Sequence, residues 1–453
     1  MLTYKLEKKP GLPLYESLYR CIRADILAGR LSPGEKLPSK RALAENLKVG
    51  KTTVEAAFGQ LTAEGFLRSV EKVGYFVEAL PLPPAKAPAR TAPAETAPEI
   101  QVDLTSGGGE RFPFSVWSRL QRQVFLDLGE KLLLPLPNRG VPELRQAIAG
   151  HLWAFRGMQV DPDCILVGAG TDFLYNLLIQ LLGRELTYAV EEPGYGKIRR
   201  VYAAGGTRCV DAPMDDRGVV PDRLSGADVL HISPAHHFPT GIVTPLSRRQ
   251  ALLRWASDGG KWIIEDDYDS EFRFQSLNLP AMQSLDPERV IYMNTFSKSL
   301  APSIRISYMV LPERLMARFQ ERLGFYSCTV ASFEQYTLAR FLREGYFEKH
   351  INKMRKFYRL RRNRLTAMLE NMPGIRVLEQ DAGLHFLVEL STELPDQALE
   401  EALRVRGIRA ASLSSFYHGE PRNLHRLVVD YSGVDETSFA RFVEALQDLT
   451  EKG

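Results

Sequence analysis

Lys298 stands between hydroxyl side chains in Thr295-Phe296-Ser297-Lys298-Ser299-Leu300-Ala301-Pro302-Ser303-Ile304-Arg305, and Arg305 follows it by seven residues. Upstream, Trp262-Ile263-Ile264-Glu265-Asp266-Asp267-Tyr268-Asp269 runs from an apolar stretch into acids and a tyrosine. Together these groups meet the needs of pyridoxal phosphate (PLP). An amine forms the Schiff base, a carboxylate pairs with the protonated pyridine nitrogen, and a tyrosine bonds the ring phenolate. Hydroxyls and an arginine hold the phosphate. Ser-Lys-Ser alone carries no such meaning, because a lysine near serines is an ordinary solvated loop; the weight lies in the conjunction.

Such groups need a scaffold that brings them to one place. Val290-Ile291-Tyr292-Met293 forms a strand that ends at the lysine motif. Before it come Cys164-Ile165-Leu166-Val167, a helix from Thr171, Leu186-Thr187-Tyr188-Ala189-Val190, a helix from Gly196, Val229-Leu230-His231-Ile232, a helix from Ser247 and Trp262-Ile263-Ile264. Strands alternating with helices argue a mainly parallel sheet covered on both faces. In such sheets ligands bind beyond the carboxyl ends of the strands. Gly168-Ala169-Gly170-Thr171 follows a strand and starts a helix, so its amides can hold a phosphate. Tyr195, after the next strand, stacks on a pyridine ring or meets the substrate. Gly107-Gly108-Gly109 lacks the lysine of a phosphate loop and is expected to be a turn beside the site. Asn138 to Arg145 precedes a helix with Ile148, Leu152 and Trp153 on its apolar side. His236 and His237 have no third ligand at a sensible spacing, so no metal is expected.

After the lysine motif, helical patterns (313–326, 332–343 and 345–372) lead to a smaller α+β part. Its strands are Gly383-Leu384-His385-Phe386-Leu387-Val388 and Leu424-His425-Arg426-Leu427-Val428-Val429-Asp430-Tyr431. From residue 101 onward the chain resembles the fold-type I aminotransferases. Two features depart from them. Ser233-Pro234-Ala235-His236-His237-Phe238-Pro239-Thr240-Gly241 has Phe238 where an asparagine usually bonds the ring oxygen; either His237 or its neighbour substitutes, or that bond is missing. Near Pro135-Leu136-Pro137 there is no tyrosine to reach a phosphate across a dimer.

At 453 residues the chain is too long for one core. Hydrophobic content of 44% and charged content of 25% are ordinary for a globular protein. No apolar run approaches the roughly 20 residues of a membrane span, and the N-terminus has no signal-peptide pattern. Cys21, Cys164, Cys209 and Cys328 are too scattered for a disulfide or zinc framework and are expected to be reduced, mostly buried thiols of a cytoplasmic protein. Residues 1–78 hold 13 Lys/Arg against 9 Asp/Glu, and the remainder holds 45 against 46. The positive excess therefore sits at the N-terminal end, which favours a polyanion partner there.

Within 1–78, Leu14, Tyr15, Leu18, Tyr19, Ile22, Ile26 and Leu27 recur at helical spacing. Gly29 ends that helix. Ser39 caps a second, with Leu43 and Leu47 inward. A third runs roughly from Lys51 to Glu64, with Val54, Phe58 and Leu61 buried and either a Thr52–Glu55 capping box or Gly50 at its start. Phe66 to Val70 and Gly74 to Val77 read as a hairpin. Helix, helix, turn, helix, hairpin is a winged helix-turn-helix. Lys51, Thr52 and Thr53 sit where base edges are read, and Arg41 and Lys72 are placed to neutralise phosphates. The segments Leu37-Pro38-Ser39-Lys40-Arg41-Ala42-Leu43-Ala44, Thr53-Val54, Leu61-Thr62-Ala63-Glu64-Gly65-Phe66 and Gly74-Tyr75-Phe76-Val77 resemble the GntR-type DNA-binding domain, with Gly50-Lys51 in place of the usual Ser-Arg. Residues 79–100 are almost all Pro, Ala, Thr, Glu and Lys and are expected to be an extended tether.

A GntR-like domain (1–78), a linker (79–100) and an aminotransferase-like domain (101–453) in this order resemble the MocR/GabR regulators. The resemblance implies a PLP-dependent, homodimeric, DNA-binding transcription regulator that senses an amino compound or PLP itself. It implies that Lys298 forms the Schiff base, Asp266 pairs with the pyridinium and Tyr268 bonds the phenolate. Thr171, Thr295, Ser297 and Arg305 then hold the phosphate, and Arg426 takes an effector carboxylate. An amino compound displacing Lys298 by transaldimination would shift domain closure and, through the dimer, the spacing of two winged helices on paired double-stranded operator half-sites. The competing expectation is an aminotransferase with an accessory N-terminal domain.

Overall fold

The computed structural model describes residues 4, 6, 13–79, 99–107, 111–273, 279–370, 372–378, 383–419 and 422–450. They fall into two compact units, one within 1–95 and one within 96–453. Most of the expected linker (80–98), together with Gly108 and Gly109, lies outside the described residues.

In the first unit, helices Leu14–Leu27, Lys40–Leu47 and Lys51–Ala63 precede an antiparallel hairpin of Leu67–Val70 and Gly74–Val77. Leu18, Ile22 and Ile26 recur every fourth residue and bury one stripe of the first helix. Tyr15 and Leu27, expected to share that stripe, are exposed. Ser39 Oγ accepts from the Ala42 N–H at 3.2 Å and so caps the second helix. The third helix starts at Gly50 with no side-chain cap, so the Thr52–Glu55 capping box does not form. Glu55 instead faces Lys40 and Lys51, each at 3.7 Å. Val54, Phe58 and Leu61 are fully buried and tie this helix to the first.

The second unit is built on an eight-stranded sheet. Its order is Ile165–Gly168, Ser307–Val310, Val290–Thr295, Trp262–Asp266, Val229–Ile232, Thr187–Glu192, Arg208–Asp215 and Gly218–Val219. The five consecutive strands from Val290–Thr295 to Arg208–Asp215 pair in parallel. Ser307–Val310 runs antiparallel to both of its neighbours. The inner strands are buried on both faces and rich in Val, Ile and Tyr, as a sheet covered by helices on both sides requires. A second sheet, ordered Ile375–Leu378, His385–Leu390, Arg426–Asp430 and Ala411–Ser412, is antiparallel throughout. Trp153, expected on an apolar helix face, is 62% exposed. Of the four cysteines only Cys164 is buried; the others are half-buried, and all four are free thiols. Among the described residues no helix is long and apolar enough to cross a membrane.

Candidate functional site

Five strand ends converge on one pocket of ≈ 420 Å³. Thr171 follows Ile165–Gly168, Tyr195 follows Thr187–Glu192, and Ser233 follows Val229–Ile232. Tyr268 follows Trp262–Asp266, and Ser297 and Lys298 follow Val290–Thr295. Of the residues singled out for a cofactor, Lys298, Asp266, Tyr268, Thr171, Tyr195, Thr295, Ser297 and Arg305 all line this pocket. Gly170 lies behind its wall with φ of 90°, and a Cβ there would strike the Arg305 guanidinium. Arg305 itself has a left-handed φ of 50° and turns back towards Ala169 O and Asp172 Oδ2, each at 3.5 Å.

Asp266 is the most elaborately supported carboxylate. Tyr175 donates its hydroxyl to Oδ2, and His231 Nε2 stands 3.4 Å from the same oxygen. Tyr202 OH meets His231 Nδ1 at 2.6 Å. A hydroxyl donating to Nδ1 leaves the ring proton on Nε2, turned towards the carboxylate. Asp266 Oδ1 is buried without a partner in the protein, as is Ser297 Oγ. Native interiors rarely leave such atoms unpaired, and both belong to residues of the pocket lining. Thr295 Oγ1 is already engaged: it accepts from Ser297 N at 3.1 Å and from Ser307 Oγ at 2.8 Å, closing the first turn of the short helix Phe296–Ser299.

Tyr268 OH lies 3.3 Å from His236 Nδ1, and that nitrogen is 2.8 Å from Asp269 Oδ2. Burial first, and then Asp269, hold the Tyr268 phenol well above its ordinary pKa. His236, not His237, is therefore the histidine beside Tyr268. His237 bonds Thr240 Oγ1 at 2.7 Å behind the pocket wall, and burial holds it down to about 3. Phe238 lines the pocket, edge-on to Tyr195, His385 and Phe416. Burial pushes Glu191, also in the wall, up to about 8, and its Oε2 accepts from Ser233 N at 2.9 Å.

Arg426, expected to take an effector carboxylate, lies apart from the other expected site residues. It does not line the pocket; its Nε and Nη2 bind Glu389 Oε1 at 2.8 and 2.7 Å. The strand register gives the reason. Arg426 pairs with Glu389 at one end, whereas Asp430 pairs with His385 at the other, and that second end faces the pocket. Four residues of strand separate the two ends by about 13 Å. In place of a guanidinium the strand presents Asp430, whose Oδ2 lies 3.4 Å from Lys298 Nζ. Tyr175, His231, Tyr202, His385 and Asp430 were all missed from sequence. A histidine inside the apolar strand Val229-Leu230-His231-Ile232 was the available signal for one of them.

Among the described residues one trio, Glu192, Asp211 and His418, brings metal-type ligand atoms within 4.8 Å. His418 Nδ1 binds Glu192 at 2.6 Å, and Arg199 ion-pairs with Asp211. These contacts account for the trio as an ion-pair network.

On the first unit, Arg41, Lys51 and Thr52 are exposed and Thr53 is half-buried. Arg41 and Lys51 line a shallow depression together with Lys48, which was not foreseen and which takes a left-handed φ of 53° between the two helices. Lys72 is exposed in the hairpin turn with φ of 61°.

Comparison with known proteins agrees with this division. The family described as "Bacterial regulatory proteins, gntR family" matches residues 14–77. Over 98% of both chains the protein is 34% identical to the uncharacterized HTH-type transcriptional regulator YdeL of Bacillus subtilis (strain 168). It is 31% identical to the probable rhizopine catabolism regulatory protein MocR of Rhizobium meliloti, over 98% of this chain and 94% of that one. An archaeal alanine:glyoxylate aminotransferase superposes with a TM-score of 0.69 at 21% identity, covering 78% of this chain and 91% of that one, a likeness of fold.

Proposed function

This chain belongs to the MocR-type transcriptional regulators, in which a GntR helix-turn-helix domain is joined to an aminotransferase-like domain, and from that premise we propose that it binds operator DNA through its first unit under the control of PLP and an amine effector held in its second. The observation that carries the reading is the convergence of Lys298, Asp266, Tyr268, Ser297 and Arg305 on one pocket at the strand ends.

The pocket's own residues fit the cofactor. The unpartnered Asp266 Oδ1 suits a protonated ring nitrogen. Ser297 Oγ, Thr171 at its helix start and the Arg305 guanidinium suit a phosphate. Bound there, PLP supplies an electrophilic carbon that accepts primary amines. Around it, Tyr175 and His231 orient the Asp266 carboxylate, and His236 orients the Tyr268 phenol. Lys298 Nζ faces Asp430 of the smaller sheet, so the state of that amine is felt by both sheets.

On the first unit, Lys51 and Thr52 at the start of the third helix meet base edges, and Arg41, Lys48 and Lys72 meet phosphates. Exposed Phe114, Leu126, Leu133, Leu134 and Phe325 on the second unit support a homodimer, since monomers rarely expose large apolar patches. Footprinting of the DNA upstream of the protein's own gene tests the reading, with apo protein, with PLP, and with PLP plus amines. A footprint that changes with PLP or with amines is expected. One indifferent to all of them would remove cofactor control from the proposal.

A further inference from the structure

Among the described residues, each cation of the pocket lining other than Lys298 already faces a carboxylate of the protein. Arg426 is bonded to Glu389 outside the lining. Of the lining cations, Arg199 ion-pairs with Asp211 while its Nε has no hydrogen-bond partner, Lys197 Nζ binds Asp172 at 2.6 Å, Arg305 faces Asp172 at 3.5 Å, and His418 Nδ1 lies 2.6 Å from Glu192. His385 is buried and, chiefly through that burial, held well below its ordinary pKa, so it adds no positive charge. What the small sheet offers the pocket is Asp430. Its Oδ1 accepts from Ser432 N at 2.9 Å and Ser432 Oγ at 2.5 Å, and its Oδ2 faces Lys298.

Among the described residues this acid has one cationic partner, and that partner is the lysine assigned to the cofactor. Whenever the Lys298 amine is engaged elsewhere, Asp430 is left largely buried and uncompensated, an arrangement that strongly favours a replacement cation. An effector carboxylate brought to the same place would meet like charge. Leu384 and Phe238, which share the lining with Asp430, suit a short methylene chain.

We infer that the effector is a primary amine carrying a second cationic group, a short aliphatic diamine, with that second ammonium held by Asp430. The inference deepens the proposed function and rests on Lys298 being the cofactor lysine.

The full-length protein, loaded with PLP, is titrated with 1,3-diaminopropane, β-alanine and propylamine. Two signals are read: the visible absorption of the lysine-bound cofactor and the shift in Tm. The diamine is expected to reach half-maximal change at a concentration at least about tenfold below the other two. In Asp430→Asn, the diamine and propylamine are expected to fall within about threefold of each other. β-Alanine acting at an equal or lower concentration than the diamine overturns the inference. An Asp430→Asn protein that keeps the tenfold preference does so too. If that variant does not fold, the comparison on the unaltered protein decides alone. No visible absorption with PLP would remove the cofactor assignment and this inference with it, whereas absorption without diamine preference removes this inference only.

Discussion

Lys298 Nζ lies 3.4 Å from Asp430 Oδ2, so an amine carried by the large sheet is held by a carboxylate of the small one. Among the described residues Lys298 is the one lysine of the pocket lining that faces Asp430. Lys298→Ala is expected to abolish the visible absorption that PLP produces on binding a lysine, with the far-UV circular dichroism unchanged. A variant that kept the absorption would show that another amine carries the cofactor.

Arg426 and Glu389 are both partly exposed, and such pairs contribute about 0–1 kcal/mol. Arg426→Ala is therefore expected to lower stability by less than about 1 kcal/mol. It should leave the amine concentration for half-maximal spectral change within about twofold of the original. A large rise in that concentration, measured by the same titration, would restore Arg426 to the effector site.

Arg41 is placed to meet a DNA phosphate. Arg41→Ala is expected to weaken operator binding and to reduce the slope of log K against log salt by about 1. Fluorescence anisotropy across a salt series reads both. An unchanged slope would mean that Arg41 stays with Glu45, 3.4 Å away, in the complex.

Burial raises Glu191 from 4.5 to about 8. Between those values the folded chain keeps a proton that the unfolded chain has released, so this group's contribution to stability falls as pH rises through the window. Glu191→Gln removes the effect. Its Tm relative to the unaltered protein is expected to rise by a few degrees from about pH 5 to pH 8. His237, held down from 6.5 to about 3, acts in the opposite sense: its contribution is lost as pH falls below 6.5. Differential scanning fluorimetry across pH separates the two.

Leu133 is 78% exposed on the second unit. Leu133→Asp is expected to convert a homodimer to monomers at micromolar concentration, measured by light scattering, with little loss of protomer stability. A dimer that survives the change would place its interface elsewhere.

Much of the pocket was legible because its groups are fixed by short-range sequence. Lys298, Ser297 and Thr295 share one turn, and Asp266 and Tyr268 share one strand end, so motif spacing already places them together. What could not be read depended on pairing between distant segments. Arg426 and Asp430 lie on the same strand four residues apart, and only the register against His385–Leu390 decides which of them reaches the pocket. His231 and Tyr175 were hidden for a related reason: each sits among apolar neighbours in a regular element and shows its role only once Asp266 is alongside. In the first unit, the start of the third helix was left open between Thr52 and Gly50. The helix takes Gly50 as its cap, and Glu55 engages Lys40 of the second helix, a contact that no single window of sequence contains.

The loop that bears Lys298 is anchored at both feet. Thr295 and Ser307, where the chain leaves and re-enters the sheet, are direct cross-strand partners, and their hydroxyls are bonded at 2.8 Å. The backbone beneath the lysine is thus a fixed post, and exchange of partners by its amine is confined to the side chain. A change of partner at Lys298 therefore reaches the smaller sheet through the side chain's contact with Asp430 rather than through the backbone beneath it.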